Sequence, residues 1–209
     1  DESVLQPDRY RDFNFLRAKS FLETCYENNL KKIIFSSTAA VYGNPKNDRV
    51  TEESPVDPLN PYASSKLELE NFITKTSSKY NTKYTILRYF NVAGADEKMR
   101  TGLISEASTH LIKVASEVAT NKRDHLIING EDYDTPDGTP VRDFIHVMDL
   151  AEAHSAALDF IFQEDPKFIN LNIGTGLGTS VLKLLKTFIK VNKCDVPFKF
   201  CQRREGDVP

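Results

Sequence analysis

The sequence predicts an α/β fold with a mostly parallel β-sheet. Segments with the apolar spacing of helices alternate along the chain with short apolar or β-branched runs typical of strands. The 209 residues are 40% apolar and 27% charged, with a formal net charge of -3, as in globular proteins with a hydrophobic core. No apolar run approaches the roughly 18 residues that span a bilayer, and charges of both signs are mixed. We therefore expect neither a membrane nor a nucleic acid as a partner.

The first 90 residues contain two predicted helices and two predicted strands. Apolar side chains at helical spacing follow Pro7 and Asp8, which suit a helix start. A glycine and several prolines separate the first strand from the second helix and predict a loop. The predicted elements are a helix over 8–29, a strand over 33–35, a loop over 43–61, a helix over 62–79 and a strand over 84–90.

The second half of the chain continues the alternation. Asp149 is in a position to cap the helix that follows it. The glycines at 174, 176 and 178 lack the G-x-G-x-x-G spacing of a dinucleotide-binding turn, so we interpret them as a tight turn before the last helix. The predicted elements are helices over 106–120, 150–162 and 180–193, strands over 126–128, 144–147 and 169–173, and a loop over 129–141.

The cysteines point to a reducing compartment. Cys25, Cys194 and Cys201 are odd in number, widely spaced and lack a C-x-x-C pair, which argues against a disulfide framework and against a zinc site. The histidines also lack the spacing of metal ligands. We therefore expect a cytoplasmic protein without a bound metal.

Tyr62 and Lys66 are the first residues that point to chemistry. They lie four residues apart at the start of a predicted helix, so both side chains project from one face. An ammonium close to a phenol lowers the pKa of the tyrosine, which can then act as a general base near neutral pH. Most such pairs are ordinary helix surface. The hydroxyls of Ser36, Ser37 and Thr38 strengthen the functional interpretation, because open α/β sheets bind ligands at the carboxyl ends of their strands.

Six stretches resemble a known family. Three of them, SSTAAVYG over 36–43, PYASSK over 61–66 and LRYFNVAGA over 87–95, resemble the extended short-chain dehydrogenase/reductases. The others narrow the resemblance to the NAD-dependent UDP-glucose 4-epimerases within that family, and they read DYDTPDGT over 132–139, VRDFIHVMDL over 141–150 and RREGD over 203–207. The stretches follow one another in the family's order over essentially the whole chain.

The resemblance implies an activity and three catalytic residues. The implied reaction interconverts UDP-glucose and UDP-galactose by reversible hydride transfer between sugar C4 and bound NAD. Tyr62 would be the general base at the sugar 4-hydroxyl. Lys66 would lower the pKa of Tyr62 and bind the nicotinamide ribose, and Thr38 would share a hydrogen bond with the 4-oxygen.

The resemblance also implies the residues that bind NAD and the UDP-sugar. NAD would contact Asn14, Ser36, Ser37, Tyr62, Lys66 and Phe90. The UDP-sugar would contact Thr38, Tyr89, Asn91, His110, Leu111, Asn129, Arg142, Arg204 and Asp207. A guanidinium presents a planar fork of donors that suits phosphate oxygens, which agrees with the implied contact between Arg142 and the diphosphate.

The implied architecture is a partial doubly wound Rossmann-type parallel sheet with a smaller α/β substrate-binding domain. Residues 1–90 would be the C-terminal part of the NAD-binding domain and residues 91–209 mainly the UDP-sugar domain, with about 141–175 returning to the Rossmann sheet. The glycine-rich phosphate turn that opens family members is not in the sequence. We therefore expect an internal fragment that is inactive by itself and binds NAD weakly or not at all. A homodimer through helices 8–29 and 62–79, packed as a four-helix bundle, is also implied.

Alternatives remain open at this point. The nearest is a nucleotide-sugar 4,6-dehydratase of the same family, but those enzymes carry Asp-Glu directly after the strand-end threonine. Here Ala39 and Ala40 stand in those positions, and their methyl groups cannot transfer protons. The others are a non-catalytic sugar-nucleotide-binding homologue and an isolated structural fragment. The sequence also leaves open whether the sugar is glucose or its N-acetylated form.

Overall fold

The computed structural model describes residues 2–45, 47, 49–105, 108–163 and 169–204. The chain divides into two units, and each is formed by two separate stretches of sequence. Unit 1 consists of Asp1–Phe90 and Leu150–Ile173, and unit 2 consists of Asn91–Asp149 and Gly174–Pro209. The chain therefore leaves unit 1 after Phe90 and returns to it at Leu150.

Helices and strands alternate along the described residues, as predicted for an α/β fold. The strands are β1 (Lys32–Thr38), β2 (Lys83–Tyr89), β3 (Asn91–Ala93), β4 (Leu126–Asn129), β5 (Val141–His146), β6 (Ile169–Ile173), β7 (Gly178–Ser180) and β8 (Phe198–Cys201). The helices are α1 (Glu2–Leu5), α2 (Pro7–Arg11), α3 (Arg17–Glu27), α4 (Pro61–Tyr80), α5 (Leu111–Ala119), α6 (Val147–Ile161) and α7 (Val181–Asn192). Among these helices of the described residues, none is long and apolar enough to cross a membrane.

Unit 1 is built on a parallel sheet with the strand order β1-β2-β6. The middle strand β2 is buried along most of its length, so its side chains need cover on both faces. The parallel register places Thr38 beside Tyr89 at the carboxyl ends of β1 and β2, the edge at which open parallel sheets bind ligands. Helices α3 and α4 pack against β1 and β2 around a core of Tyr26, Ile33, Leu69, Ile73, Tyr84 and Ile86. The predicted α/β class with parallel strands is confirmed.

The first helical region differs from the single helix predicted over 8–29. A π-helical turn over Asp12–Leu16 separates α2 from α3, and the short helix α1 precedes both. A π-turn widens the helical ladder locally, so the stripe of side chains that faces the core rotates at this point. Pro7 lies at the start of α2, where its missing N–H costs nothing.

The described residues of unit 2 form two small sheets. In one, β3 pairs with β5 in parallel and β5 pairs with β7 antiparallel. In the other, β4 and β8 run parallel, and α5 and α7 pack against them around buried Leu126, Ile128 and Leu185. The Asp137 carboxylate accepts hydrogen bonds from the side chains of Thr139 and Ser180, so it ties the loop after β4 to the start of α7.

Several predicted boundaries in the second half of the chain are wrong. The helix predicted from residue 106 begins at Leu111, after His110 with its extended backbone, and the Ser108 hydroxyl accepts the N–H of His110 at 3.2 Å. Residues 106 and 107 lie outside the described residues. The helix predicted from residue 150 begins at Val147, directly after β5, so Asp149 lies within its first turn instead of capping it. The sequence pattern does not predict β3, β7 and β8, which are three or four residues long.

Candidate functional site

The carboxyl end of β1 and the first turn of α4 bring Thr38 and Tyr62 together. Asn60 fixes the start of α4, because its Oδ1 accepts the N–H of Ala63 at 2.9 Å. Thr38 is buried, and its side chain lies close enough to the Tyr62 hydroxyl to lower the pKa of that group in part. The Thr38 Oγ1 also accepts the N–H of Ala40 at 3.2 Å. Two hydroxyls that the resemblance assigns to the sugar 4-oxygen therefore lie near each other.

The Lys66 ammonium contacts the end of β1 one helical turn after Tyr62. Its Nζ donates to the Ser36 carbonyl oxygen at 3.2 Å and lies 5.2 Å from the centre of the Phe35 ring. Burial of the cation lowers the pKa of Lys66 below its ordinary value of 10.5. The ammonium thus joins α4 to the strand whose end carries Thr38.

Burial dominates the electrostatics of Tyr62. It raises the pKa of Tyr62 above the ordinary value of 10.0, the neighbouring Tyr89 raises it further, and the hydrogen bond from Thr38 lowers it in part. The predicted lowering of this pKa by Lys66 is not found in the structure: Lys66 is not among the groups that shift the pKa of Tyr62, and burial of the phenolate raises it.

A buried ion pair lies one turn further along α4. The Arg88 guanidinium donates to the Glu70 carboxylate with an Nη2–Oε2 distance of 2.6 Å and Nε–Oε distances of 3.1 and 3.2 Å. The two side chains are only 6% and 3% exposed. The Ser37 hydroxyl donates to the same carboxylate. Because Ser37 and Arg88 are neighbours in the register of β1 and β2, these bonds fix the position of α4, and hence of Tyr62, over the sheet.

The ion pair continues into two further polar side chains. The Nη1 of Arg88 donates to the Tyr42 hydroxyl at 3.0 Å, and that hydroxyl donates to Asn172 Oδ1 at 2.7 Å. Tyr42 belongs to the 3-10 turn that directly follows Thr38. The network therefore links β2, β6 and the segment after β1 beneath the site.

Sequence reasoning missed this ion pair although two signals were present. Glu70 continues the four-residue spacing of Tyr62 and Lys66, which places all three side chains along one side of α4. Arg88 is a charged residue directly after the uncharged, strand-forming run YTIL over 84–87. A charge in a buried strand calls for a partner, and the carboxylate on the adjacent helix is that partner.

Ser36 faces the opposite side of the sheet from Ser37, because neighbouring side chains of a strand alternate. Its Oγ lies 3.0 Å from Nε2 of His154 on α6. Helices α4 and α6 therefore cover opposite faces of the parallel sheet, as in doubly wound folds. The two residues are 118 positions apart in sequence, and no spacing pattern indicates their contact.

Three more residues with implied binding roles lie in unit 1. Asn14, in the π-turn, donates from Nδ2 to the Ser65 hydroxyl of α4 at 3.2 Å. Tyr89 ends β2, and its ring centre is 6.4 Å from that of His154. Phe90 follows, and its N–H donates to the carbonyl oxygen of the last residue of β6 at 3.2 Å.

In unit 2, Asn129 and Arg204 contact each other. The Nε and Nη2 of Arg204 each lie 3.0 Å from one atom of the Asn129 side-chain amide, and because a guanidinium can only donate, we assign that atom as the oxygen. Asn129 ends β4, so this contact holds the segment after β8 against the end of its neighbouring strand. The Nη1 of Arg142, the residue implied at the diphosphate, donates to the Val141 carbonyl oxygen at 2.8 Å.

Three of the other implied substrate residues of unit 2 lie at or directly before the start of a secondary-structure element. Asn91 is the exposed first residue of β3. His110 is exposed and immediately precedes α5, and Leu111 is the first residue of that helix. Asp207 lies outside the described residues.

The glycine-containing turn over 174–178 is held by a carboxylate of its own chain. The two oxygens of Asp143 accept the N–H groups of Thr175 and Gly176 at 2.9 and 2.8 Å. Gly176 has a φ of +72°, a conformation that favours glycine. A phosphate site would need these same N–H groups. The structure therefore supports the interpretation of this segment as a tight turn before α7.

Comparison with known proteins gives matches over the whole chain. A UDP-glucose 4-epimerase from Azospirillum brasilense is 43% identical over 208 residues, which cover 100% of this chain and 60% of that protein. The crystal structure of UDP-glucose 4-epimerase from Brucella ovis in complex with NAD has a TM-score of 0.93 at 37% identity and is covered to 64%. That of the Bifidobacterium longum enzyme in complex with NAD+ and UDP has a TM-score of 0.93 at 39% identity and is covered to 62%. The Brucella ovis structure aligns with 100% of this chain, and the Bifidobacterium longum structure aligns with 99% of it.

The chain spans about 60% of the length of the curated relatives it matches. The NAD dependent epimerase/dehydratase family matches residues 1–174, a range that includes the parallel sheet of unit 1 and the Thr38, Tyr62 and Lys66 cluster. By this match and by the fold, the chain belongs to the NAD dependent epimerase/dehydratase family.

Proposed function

We propose that the protein interconverts UDP-glucose and UDP-galactose by reversible oxidation at sugar C4, with NAD as the hydride carrier. The observation that carries this proposal is the proximity of the Thr38 side chain to the Tyr62 hydroxyl, with Lys66 one turn along α4. Two adjacent hydroxyls and an ammonium at the carboxyl end of a parallel strand can bind and deprotonate an alcohol. The relatives named UDP-glucose 4-epimerase support the choice of substrate.

Tyr62 has the role of general base in this proposal. Its phenolate accepts the proton of the sugar 4-hydroxyl as the C4–H bond breaks, and the phenol returns the proton after the 4-keto sugar has turned over. The Thr38 hydroxyl holds the 4-oxygen against Tyr62. Because burial raises the pKa of Tyr62, the phenolate needs a positive charge nearby, and the Lys66 ammonium is one helical turn away.

The side chains around Ser36 fit NAD by their chemistry. The Lys66 ammonium and the Ser36 hydroxyl can bind ribose hydroxyls and a carboxamide, and Phe90 offers an aromatic ring at the end of β2. NAD, when bound, supplies the acceptor and then the donor of the hydride, so that C4 is inverted without net oxidation. Ser36, Lys66 and Phe90 are the residues we assign to holding it.

Residues 39 and 40 favour epimerisation over water elimination. Ala39 and Ala40 form the 3-10 turn that directly follows Thr38. Elimination from C5 and C6 requires an acid and a base at this position, and methyl groups provide neither. This observation supports the epimerase over the 4,6-dehydratase.

Product analysis tests the proposed function. Full-length protein incubated with UDP-glucose and NAD is expected to yield UDP-galactose, separated by anion-exchange chromatography, without added reductant. Parallel incubation with UDP-N-acetylglucosamine determines which sugar is preferred. A 4-keto-6-deoxy product would identify the protein as a 4,6-dehydratase instead. Unchanged UDP-glucose would refute the epimerase and favour a non-catalytic sugar-nucleotide-binding protein.

We assign the two binding roles to the two units. Unit 1 carries Ser36, Lys66 and Phe90 on a parallel sheet of the Rossmann type, which supports its role in binding NAD. Unit 2 carries Arg142 and the Asn129–Arg204 contact, and guanidinium groups suit a diphosphate. The UDP-sugar is therefore assigned mainly to unit 2.

A homodimer through helices 8–29 and 62–79 is the assembly we propose. The first helical region leaves Phe13, Leu16 and Phe21 with 54%, 45% and 68% of their surface exposed, and helix pairs bury such stripes in four-helix bundles. In sedimentation equilibrium, Phe21→Lys is expected to shift a dimer toward monomer, whereas Leu177→Lys, 67% exposed in unit 2, leaves the mass unchanged. A monomeric unsubstituted protein would refute the dimer.

A cytoplasmic location is the last part of the proposal. All three cysteines are free thiols in the structure, and Cys201 is exposed. Exposed unpaired thiols persist in reducing compartments. The free cysteines support a reducing location for the protein.

A further inference from the structure

The imidazole of His154 is held at both of its nitrogens. Nε2 lies 3.0 Å from the Ser36 hydroxyl oxygen at the end of β1. Nδ1 lies 2.9 Å from the carbonyl oxygen of Leu150, one turn earlier on α6. The ring also packs at an angle of 51° to the ring of Tyr89. None of the roles assigned above uses this histidine.

These two contacts determine which nitrogen carries the proton. A carbonyl oxygen can only accept hydrogen bonds, so Nδ1 must be the protonated nitrogen of the neutral ring. Nε2 is then an acceptor. It follows that the Ser36 hydroxyl donates its single proton to His154.

The consequence falls on Ser36. Its hydroxyl proton is used by His154, and only the oxygen lone pairs remain for any other partner. Its backbone oxygen is also engaged, because it accepts the Lys66 ammonium at 3.2 Å. The hydroxyl oxygen of Ser36 is therefore hydrogen-bonded to His154 of α6, and its carbonyl oxygen to Lys66 of α4. These two helices cover opposite faces of the sheet.

We propose that His154 is a positioning residue that makes the Ser36 hydroxyl an obligatory hydrogen-bond acceptor, so that the site at the end of β1 selects a ligand group that donates there. This inference rests on the proposed NAD site, since the amide N–H of a carboxamide and the hydroxyls of ribose are donors of this kind. A ligand group that can only accept hydrogen bonds would place its lone pair against a lone pair of the Ser36 hydroxyl oxygen, so its binding is disfavoured.

A serine beside a histidine also has the composition of a nucleophile and its base. Two observations argue against that use. Ser36 lies within a regular strand, opposite Leu87 of β2, instead of on the sharp strand-to-helix turn that exposes nucleophilic serines. The far nitrogen of His154 binds a backbone carbonyl rather than a carboxylate. Covalent labelling of Ser36 by a fluorophosphonate would overturn the positioning role.

The tautomer of His154 can be measured without any ligand. In nitrogen NMR spectra of the ¹⁵N-labelled protein, the neutral ring of His154 is expected to be protonated at Nδ1, and His154→Gln identifies its signals. Ser36→Ala is expected to leave the proton on Nδ1, because the Leu150 carbonyl holds it there. A neutral ring protonated at Nε2 would overturn the proposal, whatever the protein binds.

Substitutions of His154 then test whether the orientation of the Ser36 hydroxyl affects the affinity for NAD. In full-length protein, His154→Leu is expected to weaken NAD binding about tenfold by calorimetry, the loss of one well-formed hydrogen bond. His154→Gln keeps an acceptor oxygen near the position of Nε2 and is expected to bind within about threefold of the unsubstituted protein. His125→Leu, a histidine of unit 2 with no assigned role, serves as the matched control.

A double substitution separates positioning from loss of packing. If His154 acts through Ser36, combining His154→Leu with Ser36→Ala weakens NAD binding no more than either change alone. Equal losses for His154→Gln and His154→Leu, or additive losses in the double variant, would overturn the proposal. Absence of NAD binding by the unsubstituted protein would refute the proposed function. The tautomer of His154 would still determine whether the Ser36 hydroxyl donates its proton to the histidine.

Discussion

Tyr62→Phe is expected to lower kcat for the epimerisation of UDP-glucose by about 100- to 10,000-fold in the full-length protein. Phenylalanine keeps the ring that packs edge-on beside Tyr10 but removes the only proposed proton acceptor. KM is expected to change little, because the lost interaction is made with the reacting oxygen in the transition state. Initial rates with UDP-glucose, followed by product chromatography, measure both constants.

The same substitution elsewhere on α4 gives the control. Tyr80→Phe removes a hydroxyl from the far end of the helix, where the ring stacks on Tyr26 with centres 4.7 Å apart, and it should retain the kcat of the unsubstituted protein. A comparable drop for Tyr80→Phe would mean that damage to α4 explains the loss. A Tyr62→Phe variant with unchanged turnover would remove Tyr62 from the mechanism.

The acidity of Tyr62 offers a second measurement on the same pair of proteins. Burial raises the pKa of Tyr62 above 10.0, so without added NAD its phenol is expected to stay protonated at pH 10. The difference in ultraviolet phenolate absorbance between the unsubstituted protein and Tyr62→Phe isolates this group. If the difference showed that Tyr62 ionises well below pH 10, burial would not be the main influence on its pKa.

Breaking the buried ion pair is the change with the largest expected effect on stability. Glu70→Gln leaves the Arg88 guanidinium without its counter-charge at 6% exposure, and a buried charge stripped of its partner costs about 3–5 kcal/mol. The loss should appear as a lower free energy of unfolding in urea denaturation followed by circular dichroism. Ser37 also loses its carboxylate acceptor in this variant.

An exposed ion pair of the same helix calibrates that loss. Glu68→Gln breaks the contact with Arg11, in which the arginine and glutamate side chains are 54% and 37% exposed, and it should cost less than about 1 kcal/mol. Replacing both buried partners by methionine should recover most of the stability lost in Glu70→Gln, because no unpaired charge remains. Equal losses in the free energy of unfolding for Glu68→Gln and Glu70→Gln would show that burial of the ion pair does not determine the cost of breaking it.

Local patterns were sufficient for the long, regular elements of unit 1. The helix predicted over 62–79 is found as Pro61–Tyr80, and the strand predicted over 84–90 is found as Lys83–Tyr89. Both have strong signals: apolar residues at helical spacing in one, and β-branched and aromatic residues in the other. The shared role of Thr38 and Tyr62 was implied by the family resemblance, and the effect of Thr38 on the pKa of Tyr62 agrees with their proximity.

The missed features depend on contacts between distant segments. Ser36 and His154 are 118 residues apart and meet only because α6 returns to unit 1. The raised pKa of Tyr62 reflects burial by the assembled fold, which the spacing to Lys66 does not reveal. β3, β7 and β8 are too short to show a periodic pattern, and their pairing partners alone stabilise them as strands.

The interrupted path of the chain has a consequence for biosynthesis. β2 forms its ladder with β6, yet about 80 residues of polypeptide lie between Tyr89 and Ile169. A ribosome that adds about 5–20 residues per second needs roughly 4–16 s to deliver the missing partner. During that interval one edge of an apolar strand is open on the nascent protein. Chaperone demand should therefore peak while the intervening unit is being translated, and ease when Ile169–Ile173 emerges.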